Sequence, residues 1–120
     1  MITSNQPQRG EIWLVDFDPT VGAEIKKIRP AVVISSNLIG TLSIKLIAPL
    51  TDWKDRYTRK LWHVKISPSA ENGLSKDSSV DALQLRGVDL QRFIRQLGII
   101  TADEMTSITV AISTVIELEI

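Results

Sequence analysis

The chain has 120 residues, 43% of them hydrophobic, with 14 Lys and Arg balanced by 14 Asp and Glu and no cysteine. That length and apolar content describe one globular domain, burying about two-thirds of its unfolded surface, and they exclude disulfides and thiolate metal sites. No apolar run approaches the ~20 residues of a membrane-spanning helix, and the polar start Met1–Gln8 lacks the apolar stretch of a secretory signal, so a reducing, cytoplasmic setting without a membrane is expected.

In chain order, residues 1–8 read as a frayed tail and 9–120 as a single domain. Gly10–Asp16 alternates and is β-prone, and Asp18-Pro19 with Gly22 punctuates a loop. Lys26, Lys27 and Arg29 follow, and Pro30 biases Arg29 towards an extended conformation. The run Pro30–Ile34 reads as a strand buried on both faces, Ser35–Gly40 as a turn, and Ser43–Leu50 as the next strand. Thr51–Lys60 is a polar, basic loop. Leu61–Ile66 alternates again, with Trp62, Val64 and Ile66 on one face and Leu61, His63 and Lys65 on the other. Pro68–Ser78 is rich in turn residues. Ser79–Val88 and Ile94–Ile100 complete the strands, separated by an Asp89–Phe93 turn. Thr101-Ala102-Asp103-Glu104 forms a capping box, and Met105, Ile108, Ile112, Val115 and Ile116 recur at helical spacing. These elements predict a mainly β fold: a small, strongly bent sheet or half-open barrel with a C-terminal amphipathic helix packed on it.

The charge balance is uneven along the chain. All 14 basic residues lie within residues 1–100, which hold 10 acidic ones, a local excess of 14 − 10 = +4. A basic face attracts an anionic polymer by counterion release. Lys26, Lys27 and Arg29 form one cationic cluster. Lys54, Arg56, Arg59 and Lys60, interleaved with Trp53 and Tyr57, form a second. Cations track phosphates while rings stack bases, the combination that suits a single-stranded nucleic acid.

Other chemistries lack their residues. His63 is the only histidine, so neither a paired-histidine metal site nor a conventional zinc site can be built. Asp16 and Asp18 could offer oxygen ligands to Mg²⁺, but they lead into a proline turn, and turn chemistry explains them better. Gly10, Gly22 and Gly40 are too dispersed for a phosphate cradle. The remaining candidate is Arg29, whose planar fork of donors matches phosphate oxygens.

Three stretches carry a resemblance: Arg9-Gly10-Glu11-Ile12-Trp13-Leu14-Val15-Asp16-Phe17-Asp18-Pro19, Gly22-Ala23-Glu24, and Arg29-Pro30-Ala31-Val32-Val33-Ile34-Ser35. Together with Ile47–Thr51, His63–Ile66 and Asp77–Arg86, they closely resemble the MazF/PemK family of toxin endoribonucleases over residues 9–118. The resemblance implies an SH3-like barrel, a homodimer, and an antitoxin partner of the MazE type whose acidic C-terminal segment fills the RNA groove. It implies sequence-specific, metal-independent cleavage of single-stranded RNA, with no cofactor. The ribose 2′-OH attacks the adjacent phosphate to leave 2′,3′-cyclic phosphate and 5′-OH ends. Arg29 and Thr51 match the catalytic positions. Glu24 and Gln84 match base-reading positions, and Lys26, Lys27, Trp53, Arg56, His63 and Arg86 fall where RNA would be contacted. Whether Arg86 serves RNA or the fold is left open, as is whether Arg29 moves a proton or only stabilises charge. Arg29 paired with Glu24, and Thr51 capping a strand, are the structural alternatives. Ala23 and Ile25-Lys26-Lys27 depart from the Ser and Gln-Gly-Gly common in relatives. A gyrase-binding toxin and a non-catalytic binding module are the alternatives on the same fold.

Overall fold

The nine-residue strand β3 (Ile44–Asp52) organises the chain, because it pairs with three different neighbours. The computed structural model describes residues 6–40 and 42–119. Strands β1 (Glu11–Asp16), β2 (Ile28–Val33), β4 (His63–Ile66), β5 (Ser78–Asp81), β6 (Arg86–Asp89) and β7 (Phe93–Ile99) complete an antiparallel sheet. Its order is β4-β5-β3-β2-β1-β7, with β6 added on β3. The path does not close, so the half-open barrel expected from the strand pattern is observed, and α1 (Ala102–Val115) packs against β4 and residues 82–84.

The strand expected over Ser79–Val88 is two strands. The Asp81 side chain accepts a hydrogen bond from Leu83 N and caps a short 3₁₀ turn, Ala82–Gln84. This break moves the chain along β3: β5 pairs with residues 50–52, and β6 pairs with residues 44–47. Capping by a short acidic side chain competes with ladder bonding, which is why a run that looks continuous in sequence is interrupted. A further 3₁₀ turn, Asp55–Arg59, occupies the expected 51–60 loop.

Strand β2 is buried on both faces, as its unbroken apolar run predicts. Val32 and Ile34 join Ile12, Ala48, Leu50, Ile66 and Val80 in one cluster; Ala31 and Val33 join Val15, Phe17, Ile47 and Val88 in the other. The Thr101–Glu104 capping box forms in full. Ile108 and Ala111 are the buried residues of the helix, with Met105 and Ile112 packed beside them. Ile116 departs from expectation: the helix ends at Val115, so Ile116 becomes its C-cap and is exposed. Of the expected tail, residues 1–5 lie outside the described residues, and Pro7 is buried.

The turn-rich segment before β5 is tied down by Asn72. Its Oδ1 accepts from Ser69 N and Leu74 N, and its Nδ2 donates to Ser67 O. Ile99 N donates to Glu71 O at 2.9 Å, which brings this segment against β7. The approach depends on Gly98, where a Cβ would overlap the Glu71 carbonyl oxygen and the Asn72 backbone. Both neighbours are backbone and cannot rotate away. Gly98→Ala is therefore expected to destabilise the fold by about 3 kcal/mol, measured as a shift in the urea midpoint; an unchanged midpoint would refute this packing.

Candidate active site

Strand register builds the site. The β1–β2 ladder places Arg29 opposite Val15, and the β2–β3 ladder pairs Ala31 with Pro49. Arg29 lies two residues before Ala31 on β2 and Thr51 two residues after Pro49 on β3, and both line one cavity. Thr51 pairs with Ser79 on β5, and Ser79 pairs with Lys65 on β4. Directly opposite residues share a face, so Thr51, Ser79 and Lys65 form one row across three strands.

Arg29 is half-buried, and among the described residues no ion pair or hydrogen bond occupies its guanidinium. It does not pair with Glu24, whose Oε1 instead accepts from Val21 N at 2.8 Å. The Thr51 hydroxyl reaches only the Asp52 carbonyl, at 3.4 Å, too long to hold it firmly. Arg29 and Thr51 line a cavity of about 160 Å³, together with Ser75 and the Lys76–Asp52 ion pair. A guanidinium without a partner among the described residues, beside a hydroxyl held only by one long bond, can donate to an anionic oxygen.

A larger cavity of about 450 Å³ brings together Glu24, Gln84 and Arg86 over an apolar floor of Phe17, Pro49 and Leu85. Pro49 borders this space while Leu50 and Thr51 border the smaller one, so consecutive residues of β3 serve both. Gln84 is engaged at both ends of its amide, with Ile25 N and with Asp81. Arg86 donates to Phe17 O at 3.2 Å and lies over the Phe17 ring, so it supports the fold while lining the cavity. Lys26 and Lys27 are exposed and line neither space.

Trp53, Arg56 and His63 belong to an aromatic patch at the β4 side. Tyr57 stacks on His63 at 3.7 Å between ring centres, and Trp53 meets Tyr57 edge-on at 5.8 Å. Arg56 and Lys60 sit over Tyr57, and Lys65 sits over Trp53. His63 Nδ1 is hydrogen-bonded to Ser79 Oγ at 2.7 Å, which joins this patch to the row that holds Thr51. Burial holds the His63 imidazole below its usual pKa, Asp81 opposes that shift, and Lys60 and Arg56 reinforce it. Sequence reasoning misses Ser79 and Asp81. Their signal is a pair of polar residues alternating around Val80, within a strand that otherwise belongs to the core.

Asp16 and Asp18 are used locally, as turn chemistry predicts. Asp16 Oδ1 accepts from Asp18 N, and Asp18 Oδ1 accepts from Lys27 N. Among the described residues, no three His, Asp or Glu side chains converge as a metal set.

A half-open antiparallel barrel with one capping helix, carrying an arginine and a threonine that line one cleft, defines a small, mainly β protein with an open polar cleft. Residues 8–116 match the family described as PemK-like, MazF-like toxin of type II toxin–antitoxin systems, and the chain belongs to that family. It is 30% identical to the Mycobacterium tuberculosis protein named endoribonuclease MazF9, over 92% of this chain and 97% of that one. It is 29% identical to the Staphylococcus saprophyticus endoribonuclease MazF, over 88% and 87%. The crystal structure of MazF from Deinococcus radiodurans shares the fold, with a TM-score of 0.78 at 23% identity over 94% of this chain and 98% of that one. So does a mycobacterial endoribonuclease in complex with its cognate antitoxin, with a TM-score of 0.74 at 19% identity over 94% and 97%.

The His63 environment sets a pH dependence. Its folded pKa lies below the ordinary 6.5, so the unfolded chain takes up a proton first as the pH falls, and stability declines below about pH 6.5. Between about pH 7.5 and 5.5 the wild-type Tm is expected to fall more steeply than that of His63→Gln. Parallel pH profiles in calorimetry would remove this assignment.

Proposed function

We propose that this chain is the toxin of a type II toxin–antitoxin pair and a metal-independent, sequence-specific endoribonuclease acting on single-stranded RNA. The observation that carries this reading is the unspent Arg29 guanidinium lining one cleft with the Thr51 hydroxyl. The family and the names of its relatives agree with it.

In this reading a phosphodiester sits between Arg29 and Thr51. The 2′-oxygen forms a bond to phosphorus as the bond to the 5′-oxygen breaks. The 2′-hydroxyl loses one proton and the departing 5′-oxygen gains one. Negative charge builds on the non-bridging oxygens as phosphorus becomes five-coordinate. Arg29 donates to them from a fixed fork, and Thr51 supplies one further hydrogen bond. A guanidinium with a pKa above about 12 holds its protons, so charge stabilisation is its main part. Glu24 and Arg86 line the larger cavity as base contacts, and the rings near His63 offer a platform for a flanking base.

The partners follow from the same surfaces. An antitoxin with an acidic segment complements the cationic side of the cleft. A second copy of the chain suits the apolar residues Leu38, Ile39, Leu42, Ile44 and Leu46, all exposed here, with Leu38 at 95%. The chain's expected place of action is the cytoplasm.

Purified protein incubated with a long RNA in EDTA should produce 5′-OH ends. Arg29→Ala should lower the rate about 10²–10³-fold, and Thr51→Ala should lower it as well. A folded protein that cuts no RNA would sink the assignment. Neutralising Lys26 and Lys27 together should flatten the salt dependence of RNA binding, the log–log slope falling by about 1.4. An unchanged slope would show that neither lysine meets a phosphate.

A further inference from the structure

The loop between β1 and β2 forms one wall of the larger cavity through Ala23, Glu24 and Ile25. Its neck is closed next to β1: Phe17 N donates to Lys27 O, and Lys27 N donates to Asp18 Oδ1. Higher up, one hydrogen bond crosses the cavity to the opposite wall. Ile25 N donates to Gln84 Oε1 at 2.6 Å. Gln84 is itself gripped from behind, its Nε2 donating to Asp81 Oδ2 at 3.1 Å. The other Asp81 oxygen accepts from Leu83 N at 3.0 Å.

The direction of this chain of bonds is set by Asp81. A carboxylate only accepts hydrogen bonds, so it draws the NH₂ end of the Gln84 amide and leaves the carbonyl end for Ile25. A reversed amide would set two donors against each other at Ile25 N. Asp81 is buried, so a mismatch there is not relieved by water. The β4–β5 register also places Asp81 opposite His63.

We propose that Asp81 is a positioning residue: acting through Gln84, it holds Ile25 and thereby fixes the loop wall that carries Glu24. This rests on the ribonuclease reading for its substrate but not for its geometry. It also bears on specificity. With one N–H of the Gln84 amide held by Asp81 and its oxygen held by Ile25 N, a base in this cavity meets the remaining N–H of Gln84, Glu24 Oε2 and the free N–H groups of Arg86 in fixed positions.

An exchange of the two side-chain types tests this without changing net charge. In Asp81→Asn the chain of bonds cannot be completed in either amide orientation. In Gln84→Glu two carboxylates face each other. The double variant Asp81→Asn, Gln84→Glu restores the chain. Its introduced amide oxygen can still accept from Leu83 N while its NH₂ donates to the introduced carboxylate, which also accepts from Ile25 N. Amide hydrogen exchange at Ile25 and steady-state cleavage of a short single-stranded RNA are the two readouts. Each single variant should speed Ile25 exchange about tenfold and raise KM while leaving kcat nearly unchanged; the double variant should return both towards wild type. Exchange at Ile25 that is unchanged in the single variants, or still fast in a double variant with a wild-type Tm, would overturn the proposal. So would an unaltered KM where Ile25 exchange has accelerated. If a single variant does not fold, the double variant decides alone, since wild-type protection and KM require the restored chain. If wild-type protein cuts no RNA, loss and recovery of Ile25 protection would uphold the tether and overturn the ribonuclease reading instead.

Discussion

The pairing of β3 with three strands is the constraint on which the rest depends. Its first half is bonded to β6 and its second half to β5, while β2 runs along its other edge. Arg29 and Thr51 line one cavity because β2 and β3 are paired just beyond them. Glu24 meets Gln84 and Arg86 only because the β5–β6 break returns the chain beside β3. A slip of one residue would turn every side chain of a strand to the opposite face. The two apolar clusters prevent that slip, because β2 and β3 each send alternate residues into both.

The cations divide into those that hold the protein together and those left over for a ligand. Arg92 donates to the carbonyls of Asp16 and Asp18, Arg86 to that of Phe17, and Arg9 to that of Ile34. Lys65 and Lys76 pair with Asp77 and Asp52. Among the described residues, Arg29, Lys26 and Lys27 have no such partner, and neither do Lys45, Lys54, Arg56, Arg59, Lys60 and Arg95. Three consecutive carbonyls at the end of β1 are thus gripped by two arginines, which stiffens the base of the loop leading to Arg29. A net charge of zero conceals this division, since a guanidinium that binds a carbonyl and one that faces a cleft count equally in the sum.

Much of the fold is legible in the sequence because its signals are local. The buried β2 run and the capping box are written in neighbouring residues and form as read, while the alternation expected over Leu61–Ile66 forms a strand only over His63–Ile66, Leu61 and Trp62 lying in the turn before it. The single strand expected over Ser79–Val88 divides in two because Asp81 looks like any polar strand residue until its capping bond is seen. Ile116 fits the helical spacing, yet the helix ends one residue before it. Ser79 and Asp81 are not legible in the same way, because their importance comes from contacts with His63 and Gln84 that only the folded chain makes.

The sequence by itself determined the mainly β class, the terminal helix and, through its motifs, the family, and it singled out Arg29 and Thr51 as candidates. These rest on residue type, periodicity and capping, which act over a few positions. Only the tertiary structure decided which arginines are spent on backbone carbonyls. It also decided that Gln84 is committed at both ends, and that two adjoining cavities share β3. Those outcomes depend on which groups meet across strands, and a hydrogen-bond donor used in one contact is no longer available for another.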